Sequence, residues 1–174
     1  MIKLTVPVNT NDHSLGPEDA PTTIVEYGSY DCPHCKQAMV TLGIVRKQFG
    51  RPTRLIYRHF PTQTPNSQSQ RAAEAAEAAG KQGKFWEMHV HLLEHQHALD
   101  DAGLMASAAL IGLDTARFAT DIETGANAEC VRSQFLSGRE SGVRSTPTFF
   151  IDGIRHDGDW DAETLLEALR ASGG

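Results

Sequence analysis

Apolar and polar positions alternate along this chain with two different periods. Short apolar runs near both ends predict strands, at residues 2–8, 22–28, 54–60, 148–151 and 154–156. Between residues 62 and 142 the apolar positions recur three or four residues apart instead, which predicts helices. The chain is therefore expected to contain a sheet whose strands come from both ends of the sequence.

Helices are predicted in both parts of the chain. The helix after the second strand covers 33–49, because Ala38, Leu42 and Val45 recur at helical spacing and Gly50 ends the pattern. In the central part, further helices are expected at 71–79, 84–97, 101–111, a segment capped by Asp114, and 126–141. A last helix is expected to begin after Asp161, which acts as its N-cap residue.

The order of these elements predicts an α/β fold. Two strands flank the first helix, and a strand–helix–strand unit of this kind places its strands parallel with the helix on one face. Asp152-Gly153 lies between two apolar runs and predicts a hairpin. We expect residues 1–61 and 143–174 to form one domain, with an all-helical subdomain inserted at 62–142.

Charge and composition exclude two classes of partner. Lys and Arg total 16 against 22 Asp and Glu, which gives a formal net charge of −6 without a basic cluster. Nucleic acid is therefore not an expected partner. The longest apolar runs are far shorter than a membrane span. Because residues 1–9 lack the pattern of a signal peptide, we expect a cytoplasmic protein, or a periplasmic or other extracytoplasmic one if a leader has been removed.

Two cysteines stand where a predicted strand is followed by a helix, in the run Cys32-Pro33-His34-Cys35. Pro33 suits the first helical turn, where its missing N–H has no partner in any case. A thiol at a helix N-terminus is stabilised as the thiolate by the free N–H groups there, and His34 can add to this effect. We expect Cys32 to be a nucleophile and Cys35 to be the thiol that resolves its mixed disulfides.

Two other interpretations of this cysteine pair are weaker. Half of a zinc site needs two further ligands at short spacing, and the remaining cysteine, Cys130, stands alone. A structural disulfide that spans two residues would constrain little of the unfolded chain. We predict that Cys130 is a small buried hydrophobic residue, with a regulatory or dimer-forming thiol as the alternative.

The element order and this motif together resemble the thioredoxin superfamily, and within it the DsbA-like branch, over about residues 15–170. A thioredoxin fold, a central mixed sheet flanked by helices, is thus expected. The motif Cys-Pro-His-Cys and the long helical insertion are both typical of DsbA. The resemblance implies that Thr146-Pro147 is the cis-proline, substrate-binding loop and that Glu26 is the buried acid below the cysteines. Threonine before the proline is more similar to the isomerase branch.

Physical reasoning about the same residues gives each implication an alternative. Glu26 interrupts an apolar strand, so burial should raise the pKa of its carboxyl and let it relay a proton near Cys35. The alternative is a strand-end carboxylate that faces water. Pro147 suits the start of a strand in either case. A cis bond would expose the Thr146 backbone for pairing with an extended substrate, and an ordinary trans turn is the alternative.

Histidines in the predicted central helices need a separate interpretation. His91 and His95 match the metal-binding pattern H-x-x-E-H, but four histidines crowd residues 89–97 and no third ligand is identifiable. We expect a solvated helix face there and no metal. His59, at the end of its strand, is expected to be structural, with a place at the active-site rim as the alternative.

We therefore predict a thiol–disulfide oxidoreductase that exchanges a Cys32–Cys35 disulfide with protein dithiols, acting as an oxidant. Protein thiols and disulfides are its expected substrates, and its redox partner is not identifiable from the residues. No metal or organic cofactor is expected, because the cysteine pair itself carries the electrons. A cytosolic reductase or isomerase is the nearest alternative. A chaperone-like binding module without catalysis is the alternative from another class.

Overall fold

The computed structural model describes residues 1–172 of the 174. Its strands are β1 (His13–Leu15), β2 (Thr22–Gly28), β3 (Thr53–His59), β4 (Thr148–Ile151) and β5 (Ile154–Arg155). Its helices are α1 (Pro33–Gln48), α2 (Ser69–Gly80), α3 (Phe85–Glu94), α4 (Asp101–Leu110), α5 (Thr115–Glu123), α6 (Ala128–Glu140) and α7 (Ala162–Ser172). This order confirms the predicted α/β class.

One mixed sheet, in the order β1-β3-β2-β4-β5, forms the centre of the described chain. The strands β2 and β3 run parallel and are joined by α1, as the sequence predicts, while the other neighbouring pairs are antiparallel. β4 and β5 form the predicted hairpin, in which Asp152 and Gly153 take φ angles of 48° and 79°. Positive φ at both positions is what a two-residue Asp-Gly hairpin turn requires.

The two faces of the sheet pack against different partners. On one face, Ile24 and Leu55 contact residues of α1 and α7 in a single buried cluster. The opposite face buries Val25 and Ile56. Since successive residues of a strand point to opposite faces, Glu26 lies on the same face as Ile24. Helix α1, which begins beside the cysteine pair, and this carboxyl therefore share one side of the sheet.

Helix α2 lies at the centre of the helical part of the chain. The helices α3, α4, α5 and α6 all contact it, and its alanines are buried, all of them completely except Ala73. Small side chains let four neighbouring helices approach one axis closely, which explains the alanine-rich sequence of α2. All five helices fall within the predicted insertion, although its boundaries at 62 and 142 stay a prediction.

The predicted strand at 2–8 does not form. Lys3 makes one isolated bridge, to Ile154, and the first strand of the sheet is β1, which lies between the predicted strands 2–8 and 22–28, where the sequence predicts none. The carbonyls of Val6 and Pro7 accept hydrogen bonds from the Arg58 side chain, at 2.8 and 3.0 Å. The backbone at Val6 and Pro7 is thus bonded to a buried side chain instead of a neighbouring strand, while Ile2 and Leu4 share two backbone hydrogen bonds with Arg155 and Gly153, an arrangement that apolar alternation does not reveal.

The predicted helix at 84–97 is shorter in the structure. It ends at Glu94, and Gln96 and the residues around it form a turn. The other predicted helices agree to within a few residues. Both predicted caps are present: the carboxylate of Asp114 accepts from the backbone N–H of Arg117 at 3.0 Å, and that of Asp161 accepts from Thr164 at 3.1 Å.

Candidate active site

The cysteine pair lies at the start of α1. Cys32 is the N-cap residue and Pro33 the first residue of the helix, so the missing proline N–H costs no helical hydrogen bond. Both cysteines are free thiols. Cys35 is completely buried, and its sulfur accepts from the backbone N–H of Ser29 at 3.4 Å. Cys32 is only partly buried, so a partner can reach Cys32 and not Cys35.

The electrostatic surroundings separate the two thiols. The pKa of Cys32 is lowered to about 5, first by a hydrogen bond from the Cys35 side chain and then by Thr146 and the backbone N–H groups of Cys35 and His34, which together outweigh its burial. The pKa of Cys35 is raised far above its ordinary value by that same hydrogen bond, by burial and by the charge of Glu26. Cys32 is therefore a thiolate at neutral pH while Cys35 keeps its proton.

His34 is exposed, and its ring lies 6.1 Å from the ring of Trp160, measured between centroids. The hydrogen bond that His34 contributes to Cys32 comes from its backbone N–H. A backbone donor is present in any residue except proline. Stabilisation of the thiolate by the imidazole itself stays a prediction.

The Thr146-Pro147 loop faces the cysteines. The peptide bond between these residues is cis, as the resemblance implied. The Cys32 sulfur lies 3.3 Å from the Thr146 carbonyl oxygen, to which it donates when it is protonated, although 114 residues separate them in the chain. The chain brings this predicted loop and the predicted nucleophile into direct contact.

Glu26 is 2 % exposed, which excludes the alternative of a carboxylate that faces water. Its pKa is raised to about 8, by burial first and by the charge of Cys32 second. Its Oε1 atom has no hydrogen-bond partner among the described residues. A carboxyl with a pKa near neutrality, close enough to influence both cysteines, has the properties that a proton donor and acceptor needs.

Two residues that hold the cysteine turn were not identified from the sequence. The side-chain amide of Gln96 donates to the carbonyls of Tyr30 and Cys32, both at 2.8 Å. Asp31 accepts from the hydroxyls of three residues, Ser29, Thr62 and Ser67, at 2.6 to 2.8 Å. Gln96 follows a helix of the insertion, so the insertion directly supports the turn. A polar residue in a distant turn carries no sequence signal for such a contact.

Three expectations about other residues are wrong or incomplete. His89 is buried and pairs with the Tyr30 hydroxyl at 3.1 Å, so it does not belong to a solvated face. Cys130 is exposed rather than a buried hydrophobic residue. His59 is buried with its Nε2 atom 2.9 Å from the carboxylate of Glu77, which agrees with a structural role, but its Nδ1 atom has no partner in residues 1–172.

The possible metal pattern finds no support in the described part of the chain. His91 and His95 stack with their ring centroids 4.0 Å apart. Across residues 1–172, no three His, Cys, Asp or Glu side chains come together in a way that could hold a metal ion.

Comparison with known proteins defines the class. A family model described as thioredoxin matches residues 8–171. The structure is similar to a thioredoxin-like oxidoreductase from Silicibacter pomeroyi, with a TM-score of 0.83 and 27% identity over 94% of this chain and 93% of that one. It is also similar to oxidised BdbD from Bacillus subtilis, with a TM-score of 0.84 and 21% identity over 99% and 98%. Wolbachia pipientis α-DsbA1 matches with a TM-score of 0.80 and 21% identity over 98% and 96%.

The described chain has the fold of these thioredoxin-like and DsbA-like structures, which confirms the predicted fold class. The chain belongs to the thioredoxin family.

Curated relatives include longer proteins. A Na(+)/H(+) antiporter NhaA 1 of Mycobacterium sp. strain KMS is 41% identical over 162 residues, which are 92% of this chain and 26% of the antiporter. The NhaA 1 of Salinispora arenicola is 40% identical over 173 residues, again 26% of its length. The chain thus spans about a quarter of these relatives. No helix within residues 1–172 is both long and apolar enough to cross a membrane.

Proposed function

We propose that this chain oxidises protein dithiols by exchanging with them a disulfide formed between Cys32 and Cys35. The observation that carries the proposal is the contrast between an accessible Cys32 whose pKa is lowered to about 5 and a buried Cys35 whose pKa is raised. Stabilisation of the Cys32 thiolate stabilises the reduced protein, which makes the disulfide form a better oxidant.

The exchange proceeds in two steps. A substrate thiolate attacks Cys32 Sγ, the Cys32–Cys35 bond breaks, and Cys35 leaves with the electron pair and takes up one proton. A second substrate thiolate then attacks the substrate sulfur of the mixed disulfide, and Cys32 leaves as a thiolate. The substrate loses two electrons and the enzyme gains two. A partner that bears a disulfide restores the enzyme by the reverse exchange.

Glu26 is the proposed source of the proton that Cys35 takes up. It is buried on the face of the sheet that α1 covers, and its charge acts on Cys35. A carboxyl with a pKa of about 8 is protonated at neutral pH and can donate to the leaving thiolate. When the enzyme is reoxidised, the same group accepts the proton.

The substrate is proposed to lie along the Thr146-Pro147 loop. A cleft of about 460 Å³, lined in part by Phe60, Phe135 and Thr146, adjoins this loop on one side, and a second cleft of about 490 Å³ that reaches Trp160 adjoins it on the other. Aromatic walls beside an accessible backbone suit an extended segment of an unfolded chain. Antiport is not part of the proposal, because the match covers about a quarter of the antiporters and this site uses thiols.

Two measurements test the proposal. Equilibration with glutathione should give a reduction potential above about −200 mV, on the oxidising side of thioredoxin; a potential near about −270 mV would replace the oxidant with a reductase. When mixed with proteins that bear disulfides, Cys35→Ser should accumulate mixed disulfides, because the Cys32 thiolate attacks them and no resolving thiol remains, and Cys32→Ser should not. Cys130→Ser is the matched control and should exchange like the unaltered chain. If the unaltered chain shows no exchange, and a variant without both cysteines still binds unfolded chains, the chaperone-like module would be favoured instead.

A further inference from the structure

A row of polar side chains crosses the sheet from the active site to its edge. In the strand register, His13 of β1 is paired with Tyr57 of β3, and Tyr57 is paired with Glu26 of β2. Paired residues of neighbouring strands point to the same face. With strands spaced about 4.8 Å apart, the row extends about 10 Å from Glu26 to the edge strand β1.

A second set of contacts joins this row on the same face. His59 lies two residues after Tyr57, so both side chains point to one face of β3. The two oxygens of the Glu77 carboxylate, which comes from α2, each lie 2.9 Å from an imidazole: Oε1 from Nε2 of His59 and Oε2 from Nε2 of His13. The exposed fraction of the side chain rises from 1% at His59 to 10% at Glu77 and 20% at His13.

Buried polar atoms without a partner are concentrated in this group. Within residues 1–172, four buried side-chain polar atoms have no hydrogen-bond partner, and three of them are Glu26 Oε1, Tyr57 Oη and His59 Nδ1. Buried polar groups are almost always bonded to protein or to ordered water. Three such atoms on one face of two adjacent strands point to a site where protons or water molecules are exchanged.

Two glycines, Gly28 and Gly80, lie directly against the side-chain rings of Tyr57 and His13. A Cβ atom at Gly28 would lie 2.6 Å from the Tyr57 ring and 2.7 Å from its hydroxyl, and one at Gly80 would lie 2.6 Å from the His13 ring. Any larger residue at either position would displace its aromatic neighbour. The positions of Tyr57 and His13 are therefore built into the packing.

Other ionisable groups around this row are fixed in place. His13 stacks on Phe85 of α3, with centroids 3.6 Å apart. His89 of α3 is bonded to Tyr30, and burial together with the charges of His59 and His13 lowers its pKa to about 3, so it stays neutral. From α6, Gln134 Nε2 lies 3.4 Å from Glu77 Oε1. The Cys130 thiol is also near Glu77, and its pKa is raised to about 12, first by the partial burial of the sulfur and then by the charge of Glu77.

We infer that Tyr57, His59, Glu77 and His13 form a proton path that connects Glu26 with solvent at the sheet edge. This inference rests on the proposed function. When Cys35 leaves as a thiolate, Glu26 gives it one proton. His59 then replaces that proton through the Tyr57 hydroxyl, which donates its own proton to Glu26 and accepts one from His59. His13 in turn restores the proton on His59 through the Glu77 carboxylate. One proton enters from water at His13 for each one delivered to Cys35, and no electron moves along the path.

Single-turnover reduction of the oxidised protein by dithiothreitol tests the path. The rate per dithiothreitol thiolate is measured from pH 6 to 9 in H₂O and D₂O. Tyr57→Phe, which removes only the hydroxyl, should slow the reaction about tenfold at neutral pH and increase the solvent isotope effect. Tyr27→Phe is the matched control, a buried tyrosine on the opposite face, and should leave the pH profile unchanged.

A second variant tests the entrance of the path. His13→Ala should be slowed similarly and should recover with added imidazole, more so as the concentration of imidazolium, the form that can donate the proton, rises, an effect that a purely structural role would not produce. Unchanged profiles in folded Tyr57→Phe and His13→Ala, together with a slow Glu26→Gln, would overturn the path and leave the proposed function intact. Continued exchange by Cys32→Ser would instead overturn the proposed function.

Discussion

Adjacent residues of β3 belong to two buried polar clusters on opposite faces of the sheet, and these clusters differ in how completely they are bonded. On the face away from α1, Arg58 donates to both carboxylate oxygens of Asp12 at 2.8 Å, to the Tyr27 hydroxyl and to two backbone carbonyls. Every nitrogen of its guanidinium has a partner. On the α1 face, Glu26 and Tyr57 each keep a buried polar atom without one among the described residues.

This difference separates a cluster that holds the fold from one suited to chemistry. A fully bonded buried network has one favourable arrangement and resists changes of protonation. A network with free donors and acceptors can gain or lose protons, and a carboxyl such as Glu26 with a pKa near 8 is poised to do so. Variants on the first face should therefore change stability, and variants on the second should change rates and pH dependence.

The largest effect is expected from Arg58→Met. Asp12 would keep a buried, uncompensated charge, and loss of one partner of a buried ion pair costs about 3–5 kcal/mol. Urea unfolding measures this loss of stability, and the double variant Arg58→Met with Asp12→Leu should recover most of it. The exchange rate per folded molecule should not change. A slower exchange in a variant of normal stability would mean that the two faces are not separate.

The second prediction concerns the pH dependence of stability. The Glu26 carboxyl has a pKa of about 8 in the folded chain against its ordinary value of 4.5, so between these values the folded chain holds a proton that the unfolded chain has lost. The contribution of Glu26 to the free energy of unfolding should therefore fall as pH rises from 4.5 to about 8, by about 1.4 kcal/mol per pH unit, and level off above that, whereas the lowered pKa of Cys32 gives a contribution of opposite sign.

Comparison with Glu26→Gln isolates this contribution, because the other ionisable groups are shared. The difference in unfolding free energy between the unaltered chain and Glu26→Gln should change with pH by this amount. Tyr27→Phe, which retains Glu26, should show the same pH dependence as the unaltered chain. A difference that is flat with pH, or that favours the unaltered chain at high pH, would contradict the burial of a protonated carboxyl.

The parts of this site that follow from local pattern were predicted from the sequence, and those that depend on distant contacts were not. Cys32 and Cys35 were placed correctly because strand, turn and helix signals are contiguous around them. Gln96 was missed, since its partners lie more than 60 residues away and its own segment reads as the end of a helix. His13 was missed because its strand spans only three residues and lies at the edge of the sheet, so that no local pattern marks it.

A smaller effect is expected at Gln96, which is on the active-site side but fully bonded. Gln96→Ala removes two hydrogen bonds of 2.8 Å to the backbone of the cysteine turn, which should cost about 1–2 kcal/mol and raise the pKa of Cys32 as the turn loosens. Gln82→Ala is a matched control, because Gln82 also lies in a turn and its side chain makes two hydrogen bonds to a distant backbone, that of Asp114. It should lose similar stability and leave the titration of Cys32 unchanged, when both are followed by alkylation rate against pH. Equal shifts in both variants would attribute the effect to general destabilisation.

The smallest effect is expected from His34→Ala. This variant removes the exposed imidazole and keeps the backbone N–H that donates to Cys32. The hydrogen bond from His34 to Cys32 comes from the backbone N–H, which alanine keeps, and the ring itself is exposed, where water screens its charge. The pKa of Cys32 should therefore rise by less than about one unit, and the reduction potential should fall by less than about 30 mV, the equivalent of about 1.4 kcal/mol in this two-electron couple.

His34→Pro removes the N–H and remains compatible with the first helical turn, so it should raise the pKa of Cys32 further than alanine does. Thiolate absorbance and glutathione equilibration measure both quantities. A shift of several units with alanine would show that the imidazole is the main stabiliser of the thiolate, and a proline variant no different from alanine would remove the backbone N–H from the explanation.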